Sequence, residues 1–215
     1  MIQALLFDLD GVVIDSEPLY ERVELDLLRP YDIFLSGKDQ RELKGTTEPG
    51  FYDFVERKYQ PDWDRLQVVK RGRQLLREVF SRELTFVPGF VELMERIGGY
   101  YRTALVTSTP RWLVDAIAKT LPLEKFFSDI LCADDISNGK PHPEPYLTMM
   151  TRLGISPGET VILEDSLNGV TSAIQSGAFC IALVGSFPAE DLREAHRSVD
   201  SLDQIDRSLI ESLAG

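Results

Sequence analysis

Residues 5–18 read LLFDLDGVVIDSEP, and they place two aspartates, Asp8 and Asp10, at the end of an apolar run. The run Ala4–Leu9 is typical of a buried strand, because it is short, apolar and followed by polar residues. Burying a carboxylate that has no partner costs free energy. The stretch therefore predicts a strand whose end forms a site for something cationic.

Further apolar runs, each ending in polar residues and followed by a helical pattern, repeat this signal at Thr103–Thr107, Ile130–Ala133, Val161–Leu163 and Cys180–Val184. Thr109 is suited to cap the helix after the second run, with Pro110 at its first position. Gly177 is suited to end the helix that follows the fourth run. Alternating strands and helices predict the α/β class, with a Rossmann-like parallel sheet and helices on both faces. The last stretch, Ala189–Gly215, reads as a polar helix and a docking strand.

The segment between the first two runs breaks this alternation, since residues 17–83 carry helix-like patterns and no convincing strand. These helices either cover the sheet or form an inserted module. The insertion is favoured, because the segment is far longer than a crossover needs. We therefore expect a core domain of residues 1–15 and 86–215 and an all-α helical cap of residues 16–85.

Composition limits the partners of this chain of 215 residues. Its net charge of −12, from 23 basic and 35 acidic side chains, argues against nucleic acid and anionic membranes, whose charge it repels. A small anion in a locally basic pocket remains compatible with that charge. No apolar run approaches the roughly 20 residues of a membrane helix, and the N-terminus lacks an export pattern. Cys132 and Cys180 allow a disulfide, but buried thiols in a reducing cytosol are favoured, so we expect a cytoplasmic monomer.

Polar side chains collect at the ends of the expected strands: Asp8, Asp10, Thr107, Ser108, Lys140, Glu164 and Asp165. Taken singly, each has an ordinary explanation as a helix cap, a surface charge or a turn, and two aspartates would also suit calcium. Taken together, they bring carboxylates, an amine and hydroxyls to one edge of one sheet, where ligands of such sheets bind. Carboxylates suit Mg²⁺, and hydroxyls with a lysine suit phosphoryl oxygens. The pattern thus predicts a site for Mg²⁺ and a phosphate.

The ordered set of DLDG at 8–11, Thr107, Lys140 and EDS at 164–166 resembles the haloacid dehalogenase superfamily of phosphohydrolases. The resemblance covers essentially the whole chain. DGVVIDSEPLY at 10–20 and LEDSLNGVTSA at 163–173 are similar to the helical-cap subgroup that contains β-phosphoglucomutase and phosphoglycolate phosphatase. The expected insertion of residues 16–85 looks like the cap of that subgroup.

The resemblance implies a role for each matching residue. Asp8 would attack phosphorus and form an aspartyl-phosphate, and Asp10 would act as general acid and base. Thr107 and Lys140 would bind the transferring phosphoryl group. The implied Mg²⁺ ligands are Asp8, the backbone carbonyl of Asp10, Asp165, and Glu164 acting through a water. Weaker candidates for substrate binding are Ser108, Arg111 and Lys44.

These roles predict a Mg²⁺-dependent phosphatase of a small phosphorylated metabolite, such as a sugar phosphate. The main alternative is a mutase of the β-phosphoglucomutase type, which must hold a second phosphate. The aligned positions are Tyr20, Glu48 and Pro110, where the resembling mutase has histidine, arginine and lysine, so hydrolysis is favoured. Lys44, Arg73 and Arg111 are cations that would partly compensate.

Other classes fit the residues less well. A dehalogenase needs neither Mg²⁺ nor Asp10 as an acid, and a phosphonate-cleaving relative needs a Schiff-base lysine in the cap. A signalling receiver domain carries its phosphoacceptor on a later strand and lacks the insertion. A non-catalytic regulatory role is disfavoured by the complete catalytic set.

Overall fold

The computed structural model describes residues 1–43 and 45–215. Within them the strands are β1 (Ala4–Phe7), β2 (Arg102–Val106), β3 (Ile130–Leu131), β4 (Thr160–Glu164), β5 (Phe179–Leu183) and β6 (Arg197–Val199). They form one sheet in the order β3-β2-β1-β4-β5-β6, and adjacent strands are parallel. The predicted α/β fold class is confirmed, and β6 provides the docking strand expected near the C-terminus.

The α-helices of the described residues are α1 (Glu17–Leu28), α2 (Gly37–Leu43), α3 (Glu48–Tyr59), α4 (Arg65–Glu83), α5 (Phe90–Ile97), α6 (Arg111–Ile117), α7 (Glu144–Leu153), α8 (Leu167–Gln175) and α9 (Arg207–Ser212). Successive side chains of a strand point to opposite faces of a sheet. In β1, Leu5 and Phe7 pack with α5, α6 and α9 on one face. Leu6 packs with α7 and α8 on the other face. Helices therefore cover both faces of the sheet.

Helices α1 to α4 lie between β1 and β2 in the chain, and they pack largely on one another. Two apolar clusters belong to them, one around Leu28 and Phe54 and one around Tyr52 and Val68. Their base contacts the main core, since Phe80 of α4 packs in the cluster that contains Phe7. We call α1 to α4 the cap helices; the division of the chain into two domains at residues 16–85 stays a prediction.

The connections into and out of the cap helices lie side by side. The backbone N–H of Asp15 donates to the carbonyl of Thr85 at 3.0 Å, and that of Val87 donates to the carbonyl of Val13 at 3.0 Å. The pairing is antiparallel around Ile14 and Phe86. Both connections therefore cross from the sheet to the cap helices as one hydrogen-bonded ribbon.

The sequence-based helix ends agree with the structure at one position and differ at another. Gly177, with φ of +79°, follows the end of α8 as expected. At the start of α6, however, Pro110 occupies the N-cap position, and the prediction that Thr109 caps this helix is wrong. The Thr109 hydroxyl is used elsewhere, because it donates to Asp10.

Two further expectations concern the thiols and the membrane. Cys132 and Cys180 are free and buried, and they belong to apolar clusters on opposite faces of the sheet. The expectation of buried thiols is thereby confirmed. Among the described residues, no helix combines the length and the apolar character needed to cross a membrane.

Candidate active site

The candidate site lies where the strand order reverses. β1 stands at the centre of the sheet between β2 and β4, and the crevice beyond the carboxyl ends of such strands is the usual ligand site of this fold class. Asp8 follows β1, Glu164 ends β4 and Asp165 follows it. Together with the cap helices, these strand ends enclose a cavity of about 460 Å³, a volume that suits a small metabolite.

Lys140 is held at the bottom of this cavity by two carboxylates. Its Nζ donates to Asp8 Oδ1 at 2.6 Å, to Glu164 Oε1 at 2.6 Å and to the carbonyl of Val106 at 3.0 Å. Burial alone would lower the pKa of Lys140, but Asp8 and Glu164 raise it more, so the amine is held in its charged form.

Glu164 is the buried anchor of this arrangement. Oε1 also accepts from the hydroxyl of Tyr146 at 2.6 Å. Oε2 accepts from the backbone N–H of Asp165 at 3.1 Å and from the hydroxyl of Ser166 at 3.2 Å. Both oxygens of Glu164 are thus bonded to protein groups, and its carboxylate orients Lys140 toward Asp8.

Asp8 and Asp10 have different surroundings although they are two residues apart. Burial raises the pKa of Asp8 to about 7, even though Lys140 lowers it in part. Asp10 accepts hydrogen bonds from Ser16 Oγ and Thr109 Oγ1, both at 2.6 Å. Burial raises the pKa of Asp10 above its usual range, and these two hydroxyls offset part of that effect. A raised pKa shifts the Asp10 carboxyl toward its protonated form, the form that a general acid needs.

Glycines allow the close approach of the loops. Gly11 has φ of +74°, and a Cβ there would lie 2.0 Å from Asp165 Oδ2. Gly169, in the first turn of α8, would place a Cβ 1.9 Å from the Glu164 carboxylate. Both positions therefore require glycine for a steric reason, and each one touches a functional carboxylate.

Asp8, Glu164 and Asp165 form the candidate metal centre. Each offers a carboxylate oxygen, and these oxygens lie within 4.8 Å of one another. Burial raises the pKa of Asp165 well above its usual range, and the neighbouring Asp8 raises it further. Oxygen donors under mutual repulsion suit a hard divalent cation such as Mg²⁺. The residues of the site therefore fit the expected metal.

The remaining predicted site residues lie in different positions relative to the cavity. Thr107 is buried at the end of β2, where its Oγ1 accepts from the backbone N–H of Thr109 at 3.0 Å, and Ser108 lines the cavity. Arg111 is not among the described residues that line the cavity. Its guanidinium donates to Asp135 at 2.5 Å. Lys44 lies outside the described residues.

Sequence reasoning missed several hydrogen-bond partners of the candidate site carboxylates: Ser16, Thr109, Tyr146 and Ser186. Ser16 stands at the start of α1, where a serine normally caps the helix, yet its side chain makes no capping bond. A serine before a helix gives no sign of which use it serves. These contacts become visible when the fold brings the loops together.

The positions that bear on a second phosphate also line the cavity. Tyr20, Glu48 and Pro110 all face it. Glu48 accepts from Arg73 Nε at 2.9 Å and from its Nη2 at 2.8 Å. The guanidinium of Arg73 lies 5.3 Å from the ring of Trp112, so this cation is already held by a carboxylate and an aromatic ring.

The chain is similar to known proteins of one hydrolase family. Residues 5–183 match the model of the haloacid dehalogenase-like hydrolase family. The chain is 35% identical over 186 residues to a phosphorylated carbohydrates phosphatase of Thermotoga maritima, covering 82% of each chain. It is 31% identical over 180 residues to hexitol phosphatase B of Escherichia coli, covering 80% of this chain and 79% of that one. The crystal structure of a putative β-phosphoglucomutase from Thermotoga maritima superposes with a TM-score of 0.81 at 30% identity, covering 98% and 99% of the two chains.

Proposed function

The chain belongs to the haloacid dehalogenase-like hydrolases and is a phosphoric monoester hydrolase, and we propose that it is a Mg²⁺-dependent phosphatase of sugar or polyol phosphates. The observation that carries the proposal is the convergence of Asp8, Asp10, Lys140 and Asp165 in one cavity of metabolite size. Named relatives act on phosphorylated carbohydrates and hexitol phosphates, which supports the substrate class.

In the first step, a carboxylate oxygen of Asp8 bonds to phosphorus while the bond to the leaving oxygen breaks. Asp10 gives its proton to that oxygen, so the alcohol leaves neutral and an aspartyl-phosphate remains. The raised pKa of Asp10, caused by burial, supports its role as the acid. Lys140, at 2.6 Å from Asp8, and the Thr107 hydroxyl are positioned to bind phosphoryl oxygens.

In the second step, Asp10, now ionised, removes a proton from water. The water oxygen bonds to phosphorus, the bond to Asp8 breaks, and inorganic phosphate leaves. Asp8 returns as a carboxylate and Asp10 as an acid, so the cycle closes without another reactant. The hydrogen bonds from Ser16 and Thr109 would hold Asp10 in place through both steps.

Asp8, Asp165 and the backbone carbonyl of Asp10 would hold the Mg²⁺, and Glu164 would act on it through a water. When bound, the cation offsets the repulsion among the carboxylates and the charge of the phosphoryl oxygens. Chelation with EDTA is expected to abolish phosphate release, and added Mg²⁺ to restore it. Ca²⁺ is expected to substitute poorly because of its higher coordination number. Full turnover in protein shown by elemental analysis to be metal-free would contradict the metal assignment.

Hydrolysis is favoured over phosphate transfer between sugar positions. A mutase must bind a second phosphate in the cap, and cations are the natural partners for it. Glu48 lines the cavity where the resembling mutase has an arginine, and Arg73 is bonded to that carboxylate. The similarity to a putative β-phosphoglucomutase makes the mutase the second candidate.

One experiment separates the two candidates. The protein is incubated with Mg²⁺ and a panel of phosphorylated metabolites, and inorganic phosphate is measured. In parallel, it is incubated with β-glucose 1-phosphate and a trace of the 1,6-bisphosphate. The proposal expects phosphate release from sugar or polyol phosphates. Formation of glucose 6-phosphate much faster than phosphate release would establish the mutase instead.

The proposal includes a monomer in the cytoplasm. The two buried thiols, Cys132 and Cys180, support a reducing compartment.

A further inference from the structure

Helix α1 carries an unusual carboxyl on the side of the cap helices that faces the cavity. Glu24 lies two turns beyond Glu17 and lines the cavity together with Val23 and Leu27. It is partly buried, and it makes no hydrogen bond or ion pair with any described residue. Burial raises its pKa to about 7, with a further contribution from Glu21. A desolvated carboxyl without a partner is destabilising unless a ligand supplies one.

Tyr52 of α3 brings a second polar group to the same part of the cavity. Its side chain is 4% exposed, and its hydroxyl donates to none of the described residues. Gly72 of α4 leaves room for this hydroxyl, since a Cβ at that position would lie 2.4 Å from Tyr52 Oη. Tyr52 also lies within electrostatic reach of Glu24. Because Tyr52 lines the cavity and its hydroxyl makes no hydrogen bond to a described residue, that hydroxyl is available to a ligand.

The surroundings of these two groups favour a neutral, hydroxylated ligand. Tyr20, Phe51, Tyr52 and Trp112 provide aromatic walls around the cavity. Glu48, whose charge raises the pKa of Tyr52, is already paired with Arg73. A second anion would meet Glu24, whereas a hydroxyl can donate to Glu24 and bond with Tyr52.

We propose that Glu24 and Tyr52 determine substrate specificity by binding hydroxyl groups of the leaving alcohol at the cap end of the cavity. This inference rests on the proposed phosphatase function and narrows its substrate class to phosphorylated polyols and sugars with hydroxyls remote from the phosphate. Asp8 and Lys140 hold the phosphate at one end of the cavity. Glu24 and Tyr52 bind the hydroxyl groups at the other end of the substrate.

The test compares two substrates of equal chain length, a hexitol phosphate and n-hexyl phosphate, which lacks hydroxyls. For the natural chain, kcat/KM for the hexitol phosphate is expected to exceed that for n-hexyl phosphate by about tenfold or more. In Glu24→Ala and in Tyr52→Phe this ratio is expected to fall about tenfold, mainly through KM for the hexitol phosphate. Glu24→Gln keeps an acceptor of the same shape and is expected to retain part of the ratio.

Asp26→Ala is the matched control, because Asp26 is an exposed carboxylate on the same helix and stands outside the described lining of the cavity. Its ratio is expected to equal that of the natural chain, and thermal unfolding checks that every variant folds. An unchanged ratio in folded Glu24→Ala would overturn the inference while leaving the phosphatase intact. A preference for phosphoethanolamine that Glu24→Ala abolishes would assign the carboxyl to an ammonium and overturn it too. If the natural chain hydrolyses neither hexitol phosphate nor n-hexyl phosphate, the proposed function itself fails, and this inference with it.

Discussion

At the scale of single residues, Lys140 sets the charge balance of the site. Its ammonium lies 2.6 Å from a carboxylate oxygen of Asp8 and 2.6 Å from one of Glu164. Without it, two buried carboxylates would face each other unpaired, which typically costs about 3–5 kcal/mol. In the proposed reaction the same amine binds a phosphoryl oxygen, so one side chain would both balance the buried carboxylates and serve the chemistry.

The proposed nucleophile, Asp8, gives the first prediction. Asp8→Asn keeps the volume of the side chain and an acceptor for Lys140 but removes the attacking oxygen charge. We expect kcat to fall at least about 10³-fold, with the fold preserved by circular dichroism. Asp15→Asn is the matched control, because Asp15 is an exposed aspartate of the same stretch, and it should keep full activity. Substantial turnover by Asp8→Asn would remove Asp8 from the nucleophile role.

Gly169 gives the second prediction. Alanine there would raise helix propensity, but its Cβ would lie 1.9 Å from the buried Glu164 carboxylate. We expect Gly169→Ala to lower the free energy of unfolding by about 1–3 kcal/mol and to reduce activity, because Glu164 must shift away from Lys140. Gly158→Ala is the control, since its Cβ would meet nothing within 4 Å. Urea denaturation measures both variants, and equal stabilities would refute the steric argument.

At the scale of elements, a buried aspartate joins two cap helices. Asp39 in the first turn of α2 accepts from the hydroxyl of Tyr59 at 2.6 Å and from the backbone N–H of Ser36 at 2.9 Å. It also pairs with Lys58 of α3. The hydrogen bonds from Lys58, Tyr59 and Ser36 lower the pKa of Asp39 below its usual range. This carboxylate therefore holds α2 against α3 and caps α2 at the same time.

The lowered pKa of Asp39 gives the third prediction, a pH-dependent stability. The unfolded chain protonates this group near pH 4, above the folded value, so its stabilising effect is complete above about pH 4 and is lost as the pH falls toward the folded pKa. Asp39→Asn should therefore lower the thermal midpoint at pH 7, and the difference from the natural chain should shrink below about pH 4. Asp62→Asn, an exposed loop position, is the control. A difference that stays constant with pH would contradict this assignment.

At the scale of the whole molecule, the cap helices and the sheet are joined by one ribbon. The connections 13–16 and 85–89 bond to each other through Asp15 with Thr85 and through Val87 with Val13. The proposed reaction needs substrate to enter the cavity between the strand ends and the cap helices, and its aspartyl-phosphate would benefit from the exclusion of bulk water. We expect these paired connections to act as a hinge about which the cap helices rotate as a unit.

Closure of the cap is the fourth prediction. Beryllofluoride with Mg²⁺ mimics a phosphoryl group on the Asp8 carboxylate. We expect it to decrease the radius of gyration measured by small-angle X-ray scattering, because the cap helices close over the filled cavity. Asp8→Asn is the control, since it offers no carboxylate to beryllofluoride. Identical scattering profiles with and without the analogue would argue against a moving cap.

The sequence by itself determined the sheet and the chemical class of the site. Apolar runs such as Ala4–Leu9 and Val161–Leu163 identify strands through local patterns, and each lies within two residues of the strand in the structure. Parallel strands share an edge at their carboxyl ends, so residues that follow different strands were expected to meet. Asp8, Lys140 and Glu164 do meet, although 132 residues separate Lys140 from Asp8.

Only the tertiary structure decided which neighbours each polar group has. The sequence Thr109-Pro110 is typical of a helix start, yet the Thr109 hydroxyl donates to Asp10, 99 residues away. Arg111 is adjacent in sequence to the site, yet its guanidinium is bonded to Asp135. Glu24 and Tyr52 carry no motif at all, and their shared position in the cavity follows from the packing of α1, α3 and α4, which meet in the apolar cluster of Leu27, Tyr52 and Val68. Local patterns fix the conformation of the backbone, whereas a hydrogen-bond partner depends on distances between elements that are far apart in the chain.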